Sequence, residues 1–218
     1  MTDRVEKNNM VEIIHAVKKF KDYKALDDIT ISFEKGKIHG IIGRNGSGKT
    51  VLFKCICGFL KLDSGKILVN GKQIGKEIEA PQSVGIIIET PGFLSNYNAY
   101  QNLKFLANIK KKIGKKQIQE YIEKVGLDPQ NKKYVGKYSM GMRQRLGIAQ
   151  AIMEDPDLLI LDEPMNGLDN QGVQDIRKLF LKLKEEGKTI ILASHNKEDI
   201  AVLCDSVVEI DHGKIIGS

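Results

Sequence analysis

The chain has 218 residues, of which 41% are apolar and 28% are charged, and its net charge is +6 at pH 7. That length fits one large domain or one domain with a small inserted subdomain, and the composition is that of a globular protein rather than a disordered one. No segment approaches the roughly 20 consecutive apolar residues of a transmembrane helix, and the polar N-terminus does not resemble a secretory signal. We therefore expect a cytosolic chain, whose positive charge allows nucleotide, nucleic acid or a lipid surface as an anionic partner.

Strand signals dominate the first third of the chain. Turn residues separate four segments: VEII near residue 11, ITISF at 29–33, IHGII at 38–42 and KILVN at 66–70. Short apolar or alternating segments that are bounded by such turns are typical of β-strands. We expect an antiparallel-leaning β layer wrapped around one helix.

A helical pattern follows between residues 98 and 125. The pattern predicts two apolar helical faces, one with Leu103, Leu106 and Ile109 and another with Ile118, Tyr121, Ile122 and Val125. We interpret this region as an inserted helical lobe.

The last third of the chain alternates between apolar segments and helical patterns. DLLILD, KTIILAS and SVVEI are the apolar segments, and helices are predicted near 171–186 and from about 196. Continuous apolar strands that alternate with helices indicate a parallel sheet covered on both faces.

A phosphate-binding loop is predicted directly after the strand IHGII. The segment GRNGSGKT fits the pattern G-x-x-x-x-G-K-[ST] and leads into a helical segment. Its residues are Gly43, Arg44, Asn45, Gly46, Ser47, Gly48, Lys49 and Thr50. The glycines let successive backbone N–H groups face the phosphates, and the following helix adds its positive N-terminal end. Lys49 would reach the β- and γ-phosphates, and the Thr50 hydroxyl would bind Mg²⁺.

Two acids end the buried strand of DLLILDEP. Asp162 and Glu163 follow its apolar residues, and ligands of open α/β sheets bind at the carboxyl ends of the strands. Asp162 is predicted to hold Mg²⁺, directly or through water. Glu163 points elsewhere and is predicted to polarise the attacking water.

Between these two motifs, the segment from Tyr138 to Ile152, YSMGMRQRLGIAQAI, resembles the signature and following helix of ATP-binding cassette (ABC) proteins. NGLD resembles the D-loop of that family and ends at Asp169, and ILASH resembles its switch-histidine segment and ends at His195. Kinases, GTPases and helicases share P-loops but lack this insert. The resemblance covers nearly the whole chain.

The resemblance implies an α/β fold of the P-loop NTPase type. We expect a RecA-like, mostly parallel sheet with an N-terminal antiparallel β layer and an inserted α-helical subdomain. Residues 1–218 would then form a single ABC ATPase domain. Its catalytic core and β subdomain would comprise about 1–95 and 156–218, and its helical signature subdomain about 96–155.

Members of this family dimerise head to tail and sandwich ATP between the P-loop of one cassette and the signature of the other. The resemblance therefore implies that Ser139 and the Gly141 backbone contact the γ-phosphate across the interface, and that Asp169 lies near it. Since the chain carries one cassette, we expect a homodimer or a heterodimer on ATP binding. Met140 and Met142 depart from the family pattern, which puts the contacts at those two positions in question.

Two further roles follow from the same resemblance. The segment VKKFKDYKAL resembles the one that carries the adenine-stacking aromatic, and its alignment favours Phe20 over Tyr23. His195 would lie near the γ-phosphate, where it could orient the attacking water or link Glu163 to the phosphate.

Glu89 occupies the position of the family's Q-loop glutamine, directly after the strand VGIII. An acid at the end of an apolar strand is costly unless it is solvated, paired or bound to a metal ion. We expect Glu89 to be a third group at the Mg²⁺ site and to repel Asp162 and Glu163 when the site is empty. A solvated strand end is the alternative.

IETPGF and YSMGMRQRLGIA together resemble the bacitracin-resistance and lantibiotic-immunity branch of bacterial exporters. The leading hypothesis is therefore an ATP-hydrolysing subunit that lies on the inner face of the membrane and is bound to membrane-spanning permease subunits, with no nucleic-acid partner. One alternative is a soluble ABC ATPase acting on the ribosome or an assembly scaffold. Another is a cassette that binds nucleotide without turnover.

Overall fold

The structure is a computed structural model that describes residues 8–217, in which ten strands and six α-helices surround two hydrophobic clusters. The strands are β1 (Asn9–Phe20), β2 (Tyr23–Glu34), β3 (Ile38–Ile42), β4 (Ser64–Val69), β5 (Lys72–Gln73), β6 (Val84–Ile87), β7 (Leu158–Asp162), β8 (Thr189–Ala193), β9 (Ser206–Asp211) and β10 (Lys214–Gly217). The helices are α1 (Lys49–Ile56), α2 (Ala99–Lys110), α3 (Lys115–Lys124), α4 (Met140–Ile152), α5 (Asn170–Glu185) and α6 (Lys197–Leu203), with a 3₁₀ turn at Val135–Lys137.

The larger sheet has six strands in the order β10-β9-β3-β8-β7-β6. All neighbouring strands from β9 to β6 are parallel, and β10 is antiparallel to β9. All five residues of β8 are buried, because helices or the second sheet cover both faces of a parallel sheet. The predicted parallel sheet is confirmed.

The smaller sheet has four strands in the order β2-β1-β4-β5, and all its pairs are antiparallel. Its inner face packs on α1: Ile13 and Phe33 from the sheet and Phe53 from the helix belong to one buried cluster. The expected antiparallel layer around one helix is therefore present.

The helices α2 and α3, the 3₁₀ turn and α4 all lie between β6 and β7 in the chain, as the helical pattern predicted. Ile118, Ile122 and Val125 are buried, but the placement of Ile109 was wrong, since this residue is 76% exposed. Ile109 lies six positions after the buried Leu103, about one and two-thirds turns, so the two side chains point to different sides of α2. The buried face of α2 is formed by Ala99, Asn102, Leu103 and Ala107.

The sheet order brings four loops to one edge. β3, β8, β7 and β6 are consecutive parallel neighbours, so their carboxyl ends lie side by side. The loops that follow them contain the 43–50 segment, His195, Glu163 and Glu89, respectively. Between residues 8 and 217 there is no helix with the length and apolar character needed to cross a bilayer.

Candidate ATP-binding site

A cavity of about 880 Å³ opens at this edge of the sheet. The cavity is lined by residues 45–51, by the aromatic side chains of Phe20 and Tyr23, and by Asp162, Glu163 and His195. Glu89 and Met140 also border it. The structure thus gathers around one space most of the residues that the motifs predicted from separate parts of the chain.

The 43–50 loop depends on glycine at two close approaches. A Cβ at Gly43 would lie 2.1 Å from the Ile210 carbonyl oxygen, and one at Gly48 would lie 2.4 Å from that of Ala25. Gly43 has a φ of 148° and Gly48 a φ of 113°, which side chains rarely adopt. Gly48 is the N-cap of α1 and has no side-chain cap, so backbone N–H groups at this helix end remain available to an anion.

Two polar side chains of the loop are buried toward the cavity. The ammonium group of Lys49 donates to the carbonyl oxygens of Gly43 at 2.7 Å and Arg44 at 3.0 Å. Burial lowers the pKa of Lys49, and the nearby Asp162 and Glu163 carboxylates oppose that shift. The Ser47 hydroxyl is buried without any hydrogen-bond partner. A phosphate group would supply the acceptor that this hydroxyl lacks.

The side chains of Thr50 and Asp162, which both line the cavity, are in contact. The Thr50 hydroxyl donates to Asp162 Oδ2 at 2.7 Å. A hydroxyl and a carboxylate are the hard oxygen ligands that Mg²⁺ prefers, and the orphaned Ser47 hydroxyl lies in the same loop, so the donor set fits a magnesium-nucleotide complex.

Glu163 and His195 are adjacent. The His195 backbone N–H donates to Glu163 Oε2 at 3.3 Å. His195 Nε2 is 3.2 Å from Glu163 Oε1, but the orientation does not make a hydrogen bond, so the buried Oε1 has no partner. Burial raises the pKa of Glu163 above its ordinary value, and the neighbouring His195 partly offsets that rise. A carboxylate with a free, buried oxygen and a raised pKa is suited to accept a proton.

Glu89 lies at the cavity rim, but its carboxylate faces Lys54 on α1, with Oε1 2.6 Å from the ammonium nitrogen. Its backbone is left-handed, with a φ of 62°, and 64% of its side chain is exposed. The sequence predicted an unpaired acid that repels Asp162 and Glu163, and it missed Lys54 as a counter-charge. The sequence offered no signal for this pair, because Lys54 and Glu89 are 35 residues apart and lie on different elements.

Phe20 and Tyr23 both border the cavity and are about half exposed. The Lys18 ammonium lies 5.5 Å from the centre of the Phe20 ring, and the Tyr23 hydroxyl donates to the Gly46 carbonyl at 2.8 Å. Phe20 thus keeps an open aromatic surface at the cavity, while Tyr23 is tied to the loop. That contact was not expected from the sequence.

The signature residues begin α4. Ser139 is its N-cap and accepts the Met142 N–H at 3.2 Å, while Asp169 caps α5 and accepts the Gly172 N–H at 2.9 Å. A Cβ at Gly141 would lie 2.8 Å from the Gly167 carbonyl oxygen, so the two loops touch closely.

Met140 is exposed at 54% and borders the cavity beside this contact. A further residue, Gln144, was missed: it is buried and donates to the Glu163 carbonyl at 3.2 Å and to the Pro164 carbonyl at 2.9 Å. It thereby joins α4 to the acidic loop.

Comparison with characterised families identifies the fold of this site. A family model described as "ABC transporter" matches residues 26–166, which include the 43–50 loop, the signature segment and both acids. Among solved structures, the ATP-binding cassette MJ0796, a dimer bound to ADP and Pi, has a TM-score of 0.86 at 20% identity, covering 95% of this chain and 97% of that one. CbiO1 of Clostridium perfringens, part of the complex cbiONQ, has a TM-score of 0.81 at 30% identity, covering 96% and 88%.

Three relatives extend the match along the sequence. YybJ of Bacillus subtilis, an ABC transporter ATP-binding protein, is 46% identical over 206 residues, which are 94% of both chains. The bacitracin transport ATP-binding protein BcrA of Bacillus licheniformis is 40% identical over 96% of this chain and 69% of its own. The lantibiotic transport ATP-binding protein SrtF of Streptococcus pyogenes is 36% identical over 95% and 89%. With its P-loop, its paired acids and its signature helix around one cavity, this chain belongs to the ABC transporter family as an ATP-binding, ATP-hydrolysing subunit.

Proposed function

We propose that this chain energises a bacterial exporter of peptide antibiotics or other drugs. The proposed ATP hydrolysis rests mainly on Oε1 of Glu163, which is buried and has no hydrogen-bond partner. The preceding residue, Asp162, accepts the hydrogen bond from Thr50. The substrate class is supported by relatives that are named bacitracin and lantibiotic transport ATP-binding proteins.

In this proposal, residues 43–50 bind the phosphates of ATP. The loop N–H groups and the N-terminal end of α1 face the anion, and Lys49 exchanges its two carbonyl contacts for β- and γ-phosphate oxygens. Phe20 stacks on the adenine, and Tyr23 holds the loop at Gly46.

Thr50 and Asp162 would hold Mg²⁺, with Glu89 as a third oxygen donor. The bound ion would neutralise negative charge on the β- and γ-phosphate oxygens. To take part, Glu89 must release Lys54, and an exposed ion pair is worth only about 0.2–1 kcal/mol, so that release is inexpensive.

Glu163 is the proposed general base. Its free oxygen accepts a proton from the water that attacks the γ-phosphorus, as the bond to the leaving ADP oxygen breaks. Burial raises its pKa, which makes its carboxylate a stronger base than an exposed glutamate. His195, on the neighbouring loop, orients the water and the γ-phosphate.

The assembly is proposed to contain two cassettes and a membrane permease. Ser139, the Gly141 backbone and Asp169 face the second cassette, in a homodimer or a heterodimer that closes on ATP. The chain acts as one domain, with 96–155 as its helical subdomain, and lies on the cytoplasmic face of the membrane against permease subunits. A soluble ABC ATPase acting on a ribosome or scaffold is not favoured, because close relatives are named transport proteins.

The experiment uses Glu163→Gln, which keeps the side-chain size but removes the base. We expect ATP to bind with near-parental affinity, phosphate release to fall by at least about a hundredfold, and a dimer to persist on gel filtration with ATP. Glu120→Gln on α3, a half-exposed acid outside the cavity, is the matched control. Turnover by Glu163→Gln at the parental rate would contradict the role of Glu163.

The substrate class needs a separate test in cells. The chain is expressed with its membrane partner, and growth is measured in bacitracin and in a lantibiotic, with Lys49→Ala as the inactive control. Resistance that depends on Lys49 supports the proposal. Equal sensitivity of both strains to both compounds contradicts the substrate class without affecting the ATPase assignment.

A further inference from the structure

A buried ion pair lies behind the loop that carries His195. Arg177 on α5 and Asp199 on α6 are each 4% exposed, and Arg177 Nε donates to Asp199 Oδ1 at 2.9 Å. The second carboxylate oxygen, Oδ2, accepts the hydroxyl of Ser194 at 3.2 Å. The buried ion pair is therefore hydrogen-bonded to Ser194, the residue directly before His195.

Ser194 connects this pair to the backbone on the other side of His195. Its hydroxyl donates to Asp199 and accepts the N–H of Asn196 at 3.1 Å. Ser194 is only 6% exposed, so water does not compete for either bond. The two neighbours of His195 in the chain, Ser194 and Asn196, are thus joined by a hydrogen bond to the Ser194 hydroxyl. The backbone N–H of His195 itself donates to the Glu163 carboxylate.

We propose that Arg177, Asp199 and Ser194 form a positioning relay that sets the conformation of the His195 loop. The inference rests on the proposed roles of Glu163 and His195. None of the three residues borders the cavity, so the relay would act without direct contact with a bound nucleotide. It acts by fixing the peptide on each side of His195, and a shift of that loop would move His195 away from Glu163.

The relay predicts a specific kinetic pattern for Ser194→Ala. We expect kcat for ATP hydrolysis by the full chain to fall about tenfold, since one buried hydrogen-bonding hydroxyl is lost, while the KM for ATP changes by less than about twofold. Ser194→Thr keeps the hydroxyl and should restore kcat to within about threefold. Glu198→Gln is the matched control. It removes the 66% exposed carboxylate that pairs with the same guanidinium and leaves Asp199 and Ser194 in contact.

A double-mutant cycle separates positioning from a merely structural role. If Ser194 acts through His195, then Ser194→Ala should cause no further loss of kcat in a His195→Ala background. An equal loss in both backgrounds, or parental kcat in Ser194→Ala beside a slow His195→Ala, would overturn the relay. Parental kcat in His195→Ala would overturn the proposed role of His195 and the relay with it, and this outcome is distinguishable from the other two.

Discussion

Replacing Arg177 by Met should strongly destabilise the fold. The guanidinium contacts two carboxylates: that of Asp199, whose side chain is 4% exposed, and that of Glu198, whose side chain is 66% exposed. Losing the contact with the exposed Glu198 should lower the free energy of unfolding by only about 0–1 kcal/mol. Losing the contact with the buried Asp199 leaves that carboxylate with one hydrogen bond in the structure, from the Ser194 hydroxyl at 3.2 Å.

The buried contact therefore sets the magnitude. Leaving a buried charge uncompensated costs about 3–5 kcal/mol, whereas the pair itself can be replaced by apolar residues with little loss. For a chain of this size, that corresponds to a fall in Tm of roughly 6–20 °C. We expect this fall in Arg177→Met and a partial recovery in the double variant Arg177→Met with Asp199→Leu.

Thermal and urea unfolding followed by circular dichroism are the assays, with Glu198→Gln as the control. The control should lose less than about 1 kcal/mol. A loss below about 1 kcal/mol in Arg177→Met, or a double variant that is less stable than Arg177→Met, would refute the reasoning that an uncompensated Asp199 charge is the cause.

Three further predictions concern nucleotide binding, coupling and pH. Lys49→Ala should weaken ATP binding at least about a hundredfold in an equilibrium titration, because the loop loses its buried ammonium; unchanged affinity would contradict the site. Glu89→Gln should impair hydrolysis less than Glu89→Ala, with both reducing drug resistance more than ATP affinity; full hydrolysis and resistance in Glu89→Ala would reduce Glu89 to a solvated strand end. Burial lowers the folded-state pKa of His39, so the unfolded chain binds more protons below about pH 6.5 and stability should fall on acidification through that range. Replacement of His39 by Gln should flatten the dependence of Tm on pH between about pH 7.5 and 5.5, and an unchanged slope would assign the acid sensitivity to other groups.

Local sequence determined the parts of the site that lie within one strand and its following loop. The 43–50 loop is recognisable because its glycines and Lys49 carry out their roles within a few residues of each other. The acids of DLLILDEP were predictable for a related reason, since a continuous apolar strand must be buried and its carboxyl end must face the ligand edge of a parallel sheet. The signature segment added the family, and with it the position of His195.

Contacts between distant segments were decided only by the tertiary structure. Lys54 pairs with Glu89 across 35 residues, and Arg177 pairs with Asp199 across 22. Nothing in the spacing of a lysine on one helix and an acid after a strand selects that pair from the 34 basic and 28 acidic residues of the chain. Packing selects these pairs, because α1 places Lys54 beside the end of β6 and α5 lies against α6. A charge that is removed from water can be compensated only by side chains that packing brings within hydrogen-bond distance.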